Sequence, residues 1–203
     1  MKNLKTKARV LRISMAICIK IIFLLSCTPL IIYTATNTDQ SALKKQFTLK
    51  KWHLNADWYP QNARDASRTL TRYSEKAQTA YQASINPTAV QAIIVPHAGY
   101  QYSGIVATSV YRLIEKKEIS RIIILAPDHR ARYTGIAYPT FKQYQIPSGT
   151  VDIDTTSIAQ LKNKEPFIER NEPFSREHSL EIQLPLIYHF LKNDFKIIPL
   201  LVD

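Results

Sequence analysis

Cysteine is almost missing from this chain, and its two cysteines, Cys18 and Cys27, both lie in an apolar stretch near the N-terminus. The rest of the protein therefore has no thiol from which to build a disulfide framework or a cysteine-type zinc site. Acid is absent from the first twenty residues, which carry Lys2, Lys5, Lys7, Arg9, Arg12 and Lys20. Setting those six charges aside lowers the formal net charge from +11 to +5, so the basic balance belongs largely to the N-terminal tail. The remainder has no arginine stripe and no interleaving of aromatic and basic residues, and no nucleic-acid partner is expected. Internal repeats and low-complexity tracts are also lacking. What remains is a globular composition, 45% apolar and 21% charged, in 203 residues, enough for one sizeable α/β domain.

Residues 13–33 (ISMAICIKIIFLLSCTPLIIY) are mostly apolar and follow the basic tail. As a helix they would rise about 31 Å, close to the thickness of a bilayer core. Lys20 and Pro29 interrupt an ideal span. The shorter run to Leu25 reads as the apolar region of a secretory signal. Leu24-Leu25-Ser26-Cys27 resembles a bacterial lipoprotein cleavage box, with Cys27 as the lipid attachment residue, and an uncleaved signal anchor is the alternative. Either way the membrane is a partner through the N-terminus, and the folded domain lies outside the cytoplasm. The expected organisation is a signal peptide or anchor at 1–33, a polar linker at 34–51 and a folded domain at 52–203.

That domain alternates helical and strand patterns. A helix is expected over 63–83, before Asn86-Pro87. Ala92-Ile93-Ile94-Val95 is a continuous apolar run of the kind buried on both faces of a parallel sheet. Helical periodicity follows over 105–118, with Val106, Val110, Leu113 and Ile114 as its apolar stripe. Arg121 to Ala126 (RIIILA) is a second buried strand, and shorter strands are expected at 135–138 and 151–153. Asp154 is a good N-cap for a helix to about Lys164. A further helix covers 179–191, with Pro185 in its first turn or kinking it. Lys196 to Val202 (KIIPLLV) is the third strong strand. This alternation predicts an α/β fold, a largely parallel sheet with helices on both faces.

Ligands of such sheets bind beyond the carboxyl ends of the strands. The first strong run ends in Pro96-His97-Ala98-Gly99-Tyr100 and the second in Pro127-Asp128-His129. If an ordinary right-handed crossover makes those strands neighbours, His97 and His129 can converge on one metal ion. A lone histidine after a strand is commonly a hydrogen-bonded loop residue; two at equivalent positions bring a shared site level with that reading. Two of only four glycines, Gly99 and Gly104, flank the first turn, which suggests positive φ or close backbone approach to a bound species.

Several segments resemble the Memo family, including its bacterial members of the AmmeMemoRadiSam system protein B type. They are Ala56-Asp57-Trp58-Tyr59-Pro60; Ile94 to Gly104 (IVPHAGYQYSG); Ile124 to His129 (ILAPDH); Tyr144 to Asp154; Glu177-His178-Ser179-Leu180-Glu181 with Gln183-Leu184-Pro185; and Ile197 to Val202. They fall in the family's order and cover nearly all of the domain. The resemblance implies a fold like that of class III extradiol dioxygenases and a cleft that binds iron or copper. His97 and His129 take the positions of metal ligands, and His178 that of a cleft histidine, a candidate catalytic residue. For His178 the neighbours Glu177 and Glu181 also fit a capping or hydrogen-bonding role. Tyr100, Asp128 and Glu177 are expected to line the cleft, with Asp128, Glu177 and Asp203 as candidate third ligands.

Two departures qualify that resemblance. Asp128 stands where the family usually has serine. The family also continues beyond the third strong strand, so the chain is expected to be a truncated or split member with an exposed edge on that strand. A metal-dependent oxidoreductase or metal-handling protein is one expectation. A non-catalytic module that recognises a protein or peptide partner is the other.

Overall fold

A computed structural model describes residues 48–80, 85–115, 117–191 and 194–203. The expected signal or anchor segment, with Cys18 and Cys27, lies outside the described residues. Among those described, no helix is long and apolar enough to cross a membrane.

The elements in chain order are β1 (Leu49–Lys50), α1 (Ala63–Ala80), α2 (Tyr100–Tyr111), β2 (Arg121–Pro127), β3 (Ile136–Tyr138), β4 (Gln143–Ile146), β5 (Gly149–Ile153), α3 (Thr155–Ala159), β6 (Phe167–Glu169), α4 (His178–Glu181), α5 (Leu184–Phe190) and β7 (Lys196–Val202). The strands form one mixed sheet within an α/β fold. β7 lies at its centre. Along one edge it pairs in parallel with β2 over its full length, from Arg121↔Lys196 to Pro127↔Val202. Its other edge takes β5 in parallel at the start (Ile153↔Ile197) and β3 antiparallel at the end (Ala137↔Leu201). β4 then adds antiparallel to β5, β1 parallel to β4, and β6 parallel to β3. Four of the six pairings are parallel, as expected, and the two antiparallel ones, β3 with β7 and β4 with β5, make the sheet mixed. The β4–β5 pair follows from the short turn between Ile146 and Gly149, too tight for a helical crossover.

Burial follows from this order. β7 is covered on both faces, with Ile197 and Leu201 fully buried, and each such side chain contributes about 1.5–3 kcal/mol. It was the strand expected to have an exposed edge, yet both of its edges are paired. β2 is the half-covered strand. Ile124 and Ala126 are buried, whereas Ile123 and Leu125 on its other face are 62% and 64% exposed. The run at 92–95 forms no strand, and Ile94 is 96% exposed. Its continuous apolar character marked it as doubly buried, but among the described residues no ladder partner lies beside it. β2 therefore neighbours β7 rather than this segment.

Helices differ from expectation where small residues decide the packing. α2 begins at Tyr100 and buries Ser103, Gly104, Ala107 and Thr108 between Tyr100 and Tyr111. Val106 of the expected stripe is 40% exposed. The small face lets α2 approach α1 closely, and a Cβ on Gly104 would sit 2.4 Å from the Tyr73 ring. Asp154 caps α3 through the Ser157 N–H at 3.0 Å, as expected, although α3 stops at Ala159. The helix expected over 179–191 is two pieces, α4 and α5, with Pro185 in the first turn of α5.

A candidate metal centre built around one short helix

α4 begins at the motif Glu177-His178-Ser179-Leu180-Glu181, and alternate residues of this stretch reach different parts of the chain. Ser179 Oγ donates to the Pro127 carbonyl at 2.6 Å, tying α4 to the carboxyl end of β2. Gln183 Nε2 donates to the Pro96 carbonyl at 3.1 Å and its Oε1 accepts from Tyr111 Oη at 3.1 Å. The Tyr100 hydroxyl donates to the Ile182 carbonyl at 3.0 Å. Strand end, turn and helix start are thereby brought together at one place.

Three imidazoles meet there. Ring centroids lie 5.1 Å apart for His97 and His129, 4.7 Å for His129 and His178, and 5.7 Å for His97 and His178. One ring nitrogen from each falls within 4.8 Å of the others, and the three form a possible metal site. An ion bound at about 2.0–2.1 Å from each nitrogen needs only a modest inward turn of the rings. Three neutral imidazoles are a borderline donor set that suits zinc, copper, iron or nickel. Burial, with the neighbouring His129, holds His97 below the usual imidazole range. Burial also lowers His178, partly opposed by Glu177. Both rings are thus kept in the neutral form that can donate a lone pair.

Glu177 sits behind the rings and is 2% exposed. Its Oε1 accepts from His129 Nδ1 at 3.0 Å and Ser179 N at 2.8 Å, its Oε2 accepts from His129 N at 2.9 Å, and His178 Nδ1 lies in contact with Oε1 at 3.1 Å. Burial alone would raise its pKa, but the bonds from Ser179 and His129 outweigh it and hold the carboxyl at about 2. Glu177 was expected to line the cleft; it lies one layer back. Tyr100 is likewise buried beneath the cleft, with its hydroxyl engaged by Ile182. Asp128 is 6% exposed, its Oδ1 accepts from Arg130 N at 2.9 Å, and its carboxylate is not in the histidine group. Asp203 Oδ1 accepts from Gly135 N at 3.2 Å.

Beside the rings opens a cavity of about 580 Å³ lined by Trp58, Pro96, His97, Ala98, Gly99, Tyr102 and His178. Trp58 lies 4.6 Å from the His178 ring. Gly99 has an ordinary φ of −51°, and a Cβ there would meet the Asp57 carbonyl at 3.1 Å. The two glycines near this turn therefore serve close approach of protein to protein, not positive φ. The segment bearing Trp58 is held by a second buried carboxylate, Glu181. That group accepts from His53 N at 3.0 Å, Leu54 N at 2.9 Å, Tyr59 Oη at 3.0 Å and His53 Nδ1 at 2.6 Å, and Lys50 Nζ is 3.6 Å away. Sequence reading passed over Trp58, Ser179, Glu181 and Gln183 as site-builders. The alternation of polar residues at 177, 179, 181 and 183 within an otherwise apolar helix was the available signal.

An α/β protein with three histidines gathered beyond a strand end, and a buried glutamate behind two of them, is the class defined so far. Its sequence matches the family described as Memo-like protein over residues 53–203, and the chain belongs to that family. A MEMO1 family protein of Nitrosopumilus maritimus is 36% identical over 118 residues, 58% of this chain and 43% of that protein. A MEMO1 family protein of Saccharolobus islandicus is 38% identical over 111 residues, 54% and 39% of the two chains. The protein memo-1 homolog of Caenorhabditis elegans is 32% identical over 148 residues, 71% and 40%. The chain thus spans about two fifths of the length of the relatives it matches.

Proposed function

We propose that this chain is a metal-holding Memo-family domain in which His97, His129 and His178 bind one divalent transition ion, iron or copper by family resemblance. The observation that carries the reading is the approach of three ring nitrogens to within 4.8 Å of one another. Two features support it. The rings of His97 and His178 are biased toward the neutral state, and the cavity leaves one side of the cluster open to a ligand. Such an ion supplies Lewis acidity and, for iron or copper, one-electron redox chemistry. The protein's own part is to hold the rings, keep them neutral and shield the cleft with Trp58 and Tyr102. If His97 and His129 alone hold the ion, His178, the ring under Trp58, is the candidate proton-handling group instead. A likeness to class III extradiol dioxygenases belongs to this reading too, as does an oxidoreductase activity. The basic N-terminal tail and apolar segment support display outside the cytoplasm on a membrane tether.

The test is elemental analysis of the purified full chain. About one iron or copper ion per chain is expected, and His97→Ala with His129→Ala should abolish it. Undiminished metal in that double variant would end the metal reading.

A second reading is favoured by the apolar walls of the cavity, where Trp58, Pro96, Ala98 and Tyr102 outnumber polar groups. On it, the cleft recognises a protein or peptide without chemistry. Partner capture that survives removal of both histidines and of metal would select this reading.

A further inference from the structure

We infer that Glu177 is a positioning residue that fixes the tautomer of two imidazoles at once, so that His129 and His178 both present a bare Nε2 to the cleft. Its consequence for affinity rests on the metal-holding reading; the geometry that carries it does not. An ionised carboxylate only accepts hydrogen bonds, and a neutral imidazole carries one ring proton. Oε1 of Glu177 lies 3.0 Å from His129 Nδ1 and 3.1 Å from His178 Nδ1. The His129 bond puts its proton on Nδ1, and on His178 a bare Nδ1 would set two lone pairs against each other at 3.1 Å, which favours the proton on Nδ1 there too and leaves both lone pairs on Nε2.

Ring orientation is fixed along with the proton. The His129 and His178 rings are nearly parallel, 20° apart. Their Nδ1 edges converge on a single oxygen, so their Nε2 edges emerge side by side. Glu177 is itself immobilised by backbone N–H groups of His129 and Ser179, which leave the carboxylate little freedom to swing away. His97 is different. Its ring stands 59° and 61° from the other two, and among the described residues it makes no side-chain hydrogen bond. Two rings form a rigid pair, and the third is the one that turns to close on an ion.

A negative charge behind two donors also raises their basicity, and loss of such outer partners costs about 10–100-fold in metal affinity. In Glu177→Gln the charge disappears and an N–H group must face either the ring protons or a backbone N–H.

Long-range ¹⁵N–¹H correlation spectra of the metal-stripped full chain, at a pH where the rings are neutral, read the tautomers directly. Protonated Nδ1 and bare Nε2 are expected for both His129 and His178. A proton on Nε2 of either ring would overturn the inference, whatever the metal content. Glu177→Gln should mix the tautomers and weaken Zn(II) or Co(II) binding about 10–100-fold, with the far-UV spectrum unchanged. Unaltered ring signals in that variant would also overturn it, and a variant that failed to fold would leave the wild-type spectrum to decide. Expected tautomers in a protein that takes up no metal would uphold Glu177 and remove the metal reading instead.

Discussion

Two glutamates bracket α4, Glu177 at its N-cap and Glu181 at its end, both buried, and they serve different clients. Glu177 is 2% exposed and Glu181 is 0% exposed. Glu177 receives backbone N–H groups of His129 and Ser179 and the His129 ring, with His178 Nδ1 in contact, whereas Glu181 receives backbone N–H groups of His53 and Leu54, the Tyr59 hydroxyl and the His53 ring. One carboxylate orients side chains that face a cleft. The other fastens a stretch of main chain to the core. Similar burial and similar charge therefore do not imply similar function; the identity of the donors does. Each accepts two backbone N–H groups and one imidazole, and what separates them is the imidazole: His129 belongs to the histidine cluster at the cleft and His53 does not.

The largest effect expected from this contrast is on Glu181. Glu181→Gln breaks a buried ion pair with Lys50 and the bonds from His53, and loss of one partner in such a pair costs about 3–5 kcal/mol. Chemical denaturation should register that loss. Metal content of the fraction that remains folded should stay unchanged, because none of the Glu181 contacts involves a ring of the triad. Glu177→Gln should do the reverse, losing roughly 1–2 kcal/mol of stability while weakening the metal. Equal stability losses in the two variants would dissolve the distinction.

Acid should sharpen the same contrast. Both carboxyls are depressed in the folded state: Glu181 because bonds from His53 and Leu54 outweigh its burial, Glu177 to about 2 for the corresponding reason. A depressed folded pKa gives a contribution that is complete above the unfolded value, about 4.3 for glutamate. It is lost as pH falls through the folded value. The wild-type protein should lose stability steadily as pH drops from about 4.3 toward about 2. In Glu181→Gln that slope should be shallower by the share of one carboxylate. A slope that matched wild type would mean Glu181 binds its proton equally well folded and unfolded.

How much of this was readable in advance depends on whether a residue's partner is near in sequence or supplied by the fold. β2 and β7 were plain, since KIIPLLV and RIIILA carry apolar character that suits few other places. The run at 92–95 has the same character and failed, because a strand needs a ladder partner as well as apolar side chains. His97 and His129 were brought out by their positions after apolar runs. His178 was ambiguous because Glu177 and Glu181 beside it explain a histidine equally well as helix-capping neighbours. Asp128 looked like a ligand by adjacency to His129, yet it starts a turn in which its Oδ1 accepts from the Arg130 N–H, and its carboxylate lies outside the histidine group. Glu181 could not have been paired with residues 50–59 from spacing, because the contact spans more than a hundred residues.

The smallest effect concerns Ser179, which lies between the two glutamates and tests where the boundary between them falls. Its hydroxyl donates to the Pro127 carbonyl at 2.6 Å, two residues before His129. Ser179→Ala leaves that carbonyl without its donor and should cost about 1 kcal/mol in a denaturation curve. If the bond only anchors α4 to β2, metal affinity should change by less than about threefold. Glu177 would still hold the His129 backbone N–H at 2.9 Å and the His129 ring through Oε1, with His178 beside it. A tenfold or greater loss of affinity would place Ser179 with Glu177, since the serine backbone N–H that fixes Oε1 at 2.8 Å depends on the same turn. The hydroxyl and the amide of one residue would then act on the cleft together, and the line between clasp and centre would run between Ser179 and Glu181.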